Sequence, residues 1–331
     1  MPASESTRRR FARLAWAILA YTVVVILWGA YVRASGSGAG CGDHWPLCDG
    51  QVLPRLDSAE RIIELAHRLT SGLLGLAVLA QAAWALRAFP RGHGVRRWAV
   101  AAAVLTVVEG LLGAGLVVFE QVAYNASIGR AYWMGAHLAN TLLLLYALVR
   151  TVHAAENGRT PRWRAGGPTT VWTLGTLAAL VVVGASGAVA ALGDTLVLGG
   201  GLDPNTDPVV GTLVGLRLYH PLLAIVGAAL VLGLAAHVRA RLPRTTAAAL
   251  ALPLGALVFV QLALGLLNVQ LMAPIWLQMV HLLVMDAIWI LAVLVAVEAA
   301  AEAPRGVTAA RRMVGEGLNR RSAQRRPSPT I

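Results

Sequence analysis

The segment from Trp98 to Phe119 reads WAVAAAVLTVVEGLLGAGLVVF, and its one charged residue is Glu109. At a rise of 1.5 Å per residue, a helix of this length crosses about 30 Å of hydrocarbon. Seven further apolar runs of similar length flank it, so the sequence predicts an all-α membrane protein with eight transmembrane helices. These runs cover residues 12–32, 62–86, 131–149, 169–192, 216–238, 247–271 and 277–297.

The composition agrees with this prediction. Of the 331 residues, 57% are hydrophobic and 13% are charged, whereas about a quarter of the residues in a soluble domain are charged. A disordered chain is therefore excluded, and an ordinary soluble enzyme is not expected. Two cysteines are too few for a disulfide-rich scaffold or a four-cysteine metal site.

The formal net charge is +12, and all 28 basic residues are arginines. If the N-terminus is cytoplasmic, 22 of the 28 fall in tails and loops on the cytoplasmic side. This bias predicts a multi-pass protein of the cell membrane with both termini in the cytoplasm. It accounts for the basic charge without nucleic acid, so the lipid bilayer is the expected partner and nucleic acid is not.

The two halves of the chain resemble each other, with matching positions 144 to 153 residues apart. Each half has four spans and starts on the cytoplasmic side, which predicts two four-helix bundles related by a pseudo-twofold axis along the membrane normal. The predicted divisions are a cytoplasmic tail (1–11), an N-terminal bundle (12–150), a cytoplasmic linker (151–168), a C-terminal bundle (169–300) and a basic, disordered tail (301–331). Matching pairs include Glu109 with Gln261, His67 with His220 and His137 with His281.

These four histidines each lie in a span that runs from outside to inside, at a similar depth near the outer face. A polar side chain in hydrocarbon is costly, so four at a matched depth indicate a function. Two histidines facing each other across a bundle suit the two axial positions of a haem iron. Zinc would take three or four clustered ligands. Another metal, a proton relay and a structural role remain as alternatives.

The halves differ in charge beside the histidines. Glu64 lies one turn before His67, whereas the matching residue of the second half is Arg217. Arg217 can pair with a porphyrin propionate, and Glu64 can move protons or stabilise a cation at the N-terminal haem. The alternative for Glu64 is a solvated residue at the mouth of the helix. Glu109 and Asp286 stay ambiguous between a functional and a packing role.

Cys41 and Cys48 bracket six residues of the first outer loop, without the C-x-x-C-H pattern of covalent haem attachment. The outer side of the membrane is oxidising, so a disulfide is expected. The bond would close a short loop over the first bundle. Either a structural staple or a redox-active pair is compatible with the sequence.

A set of motifs occurs along the chain in the order Val32-Arg33-Ala-Ser-Gly36-Ser37-Gly38, Cys41-Gly-Asp43-His44-Trp45-Pro46-Leu-Cys48, Glu64-x-x-His67-Arg68, Gln261-x-x-Leu-Gly265-x-x-Asn268-Val269, Pro274 and His281-Leu282. Together these motifs resemble the bacterial haem A synthases of the disulfide-bearing type, over roughly residues 12–300. Glu109 departs from that pattern, where glutamine is expected.

The resemblance implies an oxidoreductase that converts haem O to haem A, the cofactor of terminal oxidases, by hydroxylating the porphyrin C8 methyl twice to give a formyl group. It implies a resident haem b on His220 and His281 and a substrate haem on His67 and His137. Glu64 matches the family's glutamate on the substrate side. Haem O synthase and oxidase assembly factors are the candidate protein partners, and the electron donor is not specified.

The main alternative is a di-haem b membrane protein that carries electrons from quinol and makes no product. A transporter built from parallel repeats would place broken helices at mid-membrane. A haem O synthase would need aspartate-rich motifs for Mg²⁺ and diphosphate in its inner loops, which carry arginines instead. Glu64 lies beside only one of the two histidine pairs, which favours a synthase over a carrier with two equivalent haems.

Overall fold

The computed structural model describes residues 4–157, 161 and 167–302. Most of the predicted C-terminal tail (301–331), and residues 158–160 and 162–166 of the predicted linker (151–168), therefore fall outside the described residues, whereas residues 151–157 of that linker are helical. Within the described ranges, the regular structure is helical, apart from an isolated bridge between Cys48 and Gln51. The helices are α1 (Glu5–Ala34), α2 (Ala59–Ala88), α3 (Gly94–Val118), α4 (Ile128–Asn157), α5 (Pro168–Asp194), α6 (Pro208–Leu216), α7 (Tyr219–Arg241), α8 (Thr246–Gln270) and α9 (Ile275–Glu302).

The prediction of an all-α membrane protein with eight spans is confirmed. Eight helical segments are long and apolar enough to cross a membrane, and α6 and α7 together make the sixth. A 3-10 turn (Ser37–Ala39) follows α1, and α5 continues into a π-helical turn (Thr195–Gly199). Residues 5–11, predicted as a tail, belong to α1, whose start is capped by the Ser4 side chain on the Thr7 N–H.

The sixth span is interrupted at Arg217 and Leu218, which the sequence analysis did not predict. Pro221 lies in the first turn of α7. A proline ring clashes with the carbonyl four residues earlier, which here belongs to Arg217. The break therefore falls where Pro221 prevents a continuous helix, just before His220.

Contacts between helices divide them into two groups of four spans. In the first group α1 contacts α2 and α4, and α3 contacts α2 and α4. In the second group α7 contacts α5 and α8, and α9 contacts α5 and α8. The groups meet where α4 packs on α5 and α9 and where α1 packs on α9. The pseudo-twofold relation between the groups stays a prediction.

We call the end of the bundles that bears Cys41 and Cys48 the outer end, and the opposite end the inner end. The large apolar core occupies the inner part of both groups. There Phe11 is fully buried and packs edge-on against Trp84 and Phe89, with ring centroids 5.3 and 5.1 Å away. These contacts fix α1 against α2 at the inner end.

Replacing Phe11 with alanine should lower the free energy of unfolding by about 3 kcal/mol, because the variant loses both ring contacts and leaves a cavity. Thermal unfolding of the purified protein in detergent would measure the change. Phe259→Ala is the matched control, since Phe259 is largely exposed on the outside of α8. Equal losses in the two variants would contradict this account of the core.

Candidate functional site

All four histidines singled out from the sequence lie near the outer end, and each ring faces a glycine of the preceding membrane span. A Cβ atom at Gly29 would lie 2.9 Å from Cε1 of His67, and one at Gly187 would lie 3.0 Å from Cε1 of His220. Real Cβ contacts are essentially never shorter than 3.0 Å, so a side chain at Gly29 would force the His67 ring to shift, and one at Gly187 would crowd the His220 ring. The pairs are His67 with Gly29, His137 with Gly113, His220 with Gly187 and His281 with Gly265.

Gly29 and Gly187 were not identified from the sequence. The repeat could have identified them, because Gly29 and Gly187 are 158 residues apart, which is close to the 153 residues between His67 and His220. A side chain on either glycine would push the imidazole ring away. The same histidine–glycine arrangement therefore occurs in both groups of helices.

The histidines are brought together in two pairs. His67 and His137 lie close enough to interact electrostatically, and so do His220 and His281. Within the described residues, no group of three or more His, Cys, Asp or Glu side chains is arranged to hold a metal ion. The geometry thus offers two imidazoles in each half, which is the ligand number that a six-coordinate haem iron takes from a protein.

Several imidazole nitrogens lack partners. In the described part of the chain, Nδ1 of His67 and Nδ1 of His281 are buried and accept or donate no hydrogen bond. Nδ1 of His220 lies 2.9 Å from the Ser186 hydroxyl. Buried polar atoms are usually paired, so the unpaired rings fit a site that takes a ligand, and the residues present fit a haem.

The space around the histidines is bordered by the apolar core on its inner side. On the four histidine-bearing spans, the large core begins at Leu74, Leu142, Val231 and Ile288, between 5 and 11 residues further inward than the histidines. The large core therefore stops short of the histidine on each of these spans. A ligand bound between the histidines would therefore not have to displace the large core.

Glu64 is buried and holds the cysteine loop. Its Oε2 accepts a hydrogen bond from the backbone N–H of Cys41 at 2.8 Å, and its Oε1 pairs with Nη2 of Arg68 at 2.6 Å. Arg68 also donates to the carbonyls of His44 and Leu47. Glu64 is 3% exposed, so the alternative of a solvated residue at the helix mouth is wrong.

The expected disulfide between Cys41 and Cys48 is present, and both cysteines are buried. The loop that it closes lies over the start of α2, because the Gly40 carbonyl accepts from Nε of Arg61. Together with the bonds from Glu64 and Arg68, this covers the outer end of the first group. In the second group, a small apolar cluster made by α5, the π-helical turn and α6 lies at the outer end.

Glu109, which the sequence left ambiguous, contacts a histidine. Its Oε1 lies 3.3 Å from Nδ1 of His137, and it accepts hydrogen bonds from Asn140 and Thr141. The matching pair of the second half is similar, since Nε2 of Gln261 lies 3.1 Å from Nε2 of His281. One histidine of each half therefore contacts the matching position of the preceding helix. That position carries a carboxylate in the first half and an amide in the second.

Arg217 and Asp286 have different surroundings. Arg217 lies at the break before α7, is partly exposed and pairs with Asp194 at 2.5 Å. Asp286 is buried five residues inward from His281, and its Oδ2 has no hydrogen-bond partner among the described residues. Arg217 is thus accessible to an anionic ligand at the outer end, whereas Asp286 lies at the border of the apolar core.

Comparison with known proteins gives the following matches. The family model described as COX15-CtaA, cytochrome oxidase assembly protein, matches residues 12–295. A protoheme IX farnesyltransferase of Thermus thermophilus is 47% identical over 298 residues, which cover 88% of this chain and 48% of that protein. The chain thus spans about half the length of this relative.

Shorter matches are found with proteins named heme A synthase. That of Alkalihalophilus pseudofirmus is 39% identical over 137 residues, covering 41% of this chain and 44% of the relative. That of Geobacillus kaustophilus is 40% identical over 134 residues, covering 40% of this chain and 42% of the relative.

The double variant Cys41→Ala/Cys48→Ala should remain folded but lose a few kcal/mol of stability, because the disulfide closes only a short loop. The bonds from Glu64 and Arg68 would still hold that loop. Thermal unfolding with and without reductant, together with mass spectrometry after alkylation, would test this. A wild-type protein in which both cysteines are alkylated without reductant would contradict it.

Proposed function

The chain belongs to the COX15-CtaA family of cytochrome oxidase assembly proteins, and on this premise we propose that it is a haem A synthase. The proposed reaction oxidises the C8 methyl group of haem O to a formyl group. Partial matches to proteins named heme A synthase support this assignment. The observation that carries it is the pair of imidazoles in each half, each ring lying against a glycine.

The two halves have different tasks in this proposal. His220 and His281 would bind a resident haem b, and His67 and His137 would bind the substrate haem. The support lies in the surroundings of each pair. A buried carboxylate, Glu64, lies one turn outward from His67, whereas the second half has Arg217 at the matching position. A resident haem would supply one-electron transfer, and the oxidation would take place in the first half.

Glu64 is proposed to accept or release protons at the edge of the substrate porphyrin. Its carboxylate is buried, and its negative charge is stabilised by Arg68 and by the Cys41 N–H. Charge-assisted hydrogen bonds of this kind fix the carboxylate in one position. Since the Cys41 N–H belongs to the disulfide-closed loop, the loop helps to position Glu64. The disulfide is therefore proposed to have at least a structural role in the site.

The substrate supply is proposed to come from a haem O synthase. The Thermus thermophilus relative is named for farnesyl transfer to protohaem IX, and about half of its length lies outside the match with this chain. The product of such a transfer is a farnesylated haem, which is the substrate class proposed here. Both are expected in the same membrane, because this chain is a multi-pass membrane protein.

We further propose that the outer end faces away from the cytoplasm. The arginine bias supports this orientation, because most arginines lie in the tails and in the loops at the inner end. The haem sites would then lie near the outer face of the cell membrane, with both termini in the cytoplasm.

Replacing His220 or His281 with alanine should remove most of the haem b absorbance of the purified protein, because each variant loses an axial ligand. Replacing His67 or His137 should instead abolish haem A formation and leave most of the haem b. Optical spectra and chromatography of extracted haems, after co-expression with haem O synthase, would measure both. Equal loss of haem b in all four variants would favour the di-haem electron carrier.

The variant Glu64→Gln should keep the haem b spectrum and bind haem O, yet accumulate haem O or its alcohol derivative. Glutamine keeps the size of the side chain but removes its charge and proton exchange. Glu60→Gln is the matched control, since Glu60 lies one turn earlier on α2 and is exposed. A normal yield of haem A from Glu64→Gln would exclude a role for this carboxylate in turnover.

A further inference from the structure

Arg130, at the outer start of α4, is a buried cation without a counter-ion. It is 2% exposed, and no carboxylate pairs with it in the described part of the chain. Its one side-chain hydrogen bond goes from Nη1 to the Asn125 carbonyl at 3.2 Å, and its Nε is buried without a partner. A buried charge is costly unless it is paired, so this guanidinium needs an explanation.

The neighbouring charges increase the cost of burying Arg130. Arg33, at the outer end of α1, lies close enough to repel it electrostatically. Arg33 is bound by neutral acceptors, the Ala191 carbonyl, the Thr195 hydroxyl and the Gln278 amide oxygen. The carboxylate that attracts Arg33 is that of Asp194, which already pairs with Arg217 at 2.5 Å. The arrangement lacks negative charge next to Arg130.

The position of Arg130 relates it to the first histidine pair. It precedes His137 on α4 by seven residues, which is two turns, so both side chains lie on one face of the helix about 10 Å apart along its axis. Arg33 likewise follows Gly29 by four residues, and Gly29 lies against His67. Both arginines therefore lie outward of the site formed by His67 and His137.

We propose that Arg130 binds a carboxylate of the porphyrin held by His67 and His137, with Arg33 beside it. This rests on the proposed function and extends it to the propionate end of the substrate. Two turns of helix match the reach of a porphyrin from its iron to a propionate, and a guanidinium binds a carboxylate through two parallel hydrogen bonds. The substrate would thereby be oriented with its propionates toward the outer end.

Binding of iron protoporphyrin IX and of its dimethyl ester, which lacks the two negative charges, tests this proposal. The protein keeps its resident haem, and only binding that His67→Ala abolishes is counted. The wild type should bind the free acid about ten- to a hundred-fold more tightly than the ester. Arg130→Gln should lose a similar factor for the free acid and change little for the ester. Arg130→Lys should be intermediate.

The matched control is Arg55→Gln, because Arg55 is exposed in the first outer loop and should leave both affinities unchanged. Thermal unfolding of protein without added porphyrin provides a second readout. There Arg130→Gln should be at least as stable as the wild type, since it removes an unpaired buried charge.

A wild type that binds both porphyrins equally well would overturn the inference. So would an Arg130→Gln variant that loses affinity equally for both porphyrins and is less stable than the wild type without added porphyrin. In those cases haem binding through His67 would persist, and the proposed function would stand. Absence of any binding that depends on His67 would overturn the proposed function as well.

Discussion

Hydrocarbon offers no hydrogen-bond partners, and this constraint determines where the polar groups of the membrane spans can lie. Backbone groups are satisfied within the helices, so the polar side chains of the spans must pair with each other or with a ligand. The inner part of both groups of helices meets this condition mainly by being apolar, with Phe11 and Leu145 among its fully buried side chains. The outer part instead contains four histidines, several of whose nitrogens have no protein partner.

This separation explains how one chain can be stable and still hold a site for a large flat ligand. Packing of α4 and α9 against their neighbours joins the two groups below the histidines. At the outer end, the disulfide loop covers the first group, and a small apolar cluster lies at the second group. Glu64 and Arg68 connect the loop to α2 within one turn of His67, so the cover is anchored next to the site.

The sequence was sufficient for the features that depend on composition and spacing. Length and hydropathy determine the eight spans, and the shared depth of His67, His137, His220 and His281 follows from their distance to the span ends. The break before α7 was missed because the effect of Pro221 falls on a carbonyl four residues earlier. The burial of Glu64 was missed because the loop that covers it, which contributes the Cys41 N–H, is 23 residues away in sequence.

The unpaired state of Arg130 could not be seen from the sequence for a related reason. An arginine at the start of a span normally reaches the headgroup region and remains solvated. Here the outer turn of α4 carries Ala131 and Met134 against the apolar cluster of the second group, which keeps water from this region. Only the packing of the two groups against each other turns an ordinary terminal arginine into a buried charge.

The two histidine pairs also differ in the residue, and in the ring nitrogen, at which the preceding helix contacts them. In the first half the position next to His137 is the carboxylate of Glu109, and in the second half the position next to His281 is the amide of Gln261. A carboxylate next to a ring nitrogen makes the imidazole a stronger electron donor to a metal than an amide does. Under the proposed function, His137 would therefore be the more basic ligand of the substrate haem, and His281 the less basic ligand of the resident haem. In this proposal the two halves would provide two histidine pairs, and single substitutions beside them would give the chemical difference between the substrate haem and the resident haem.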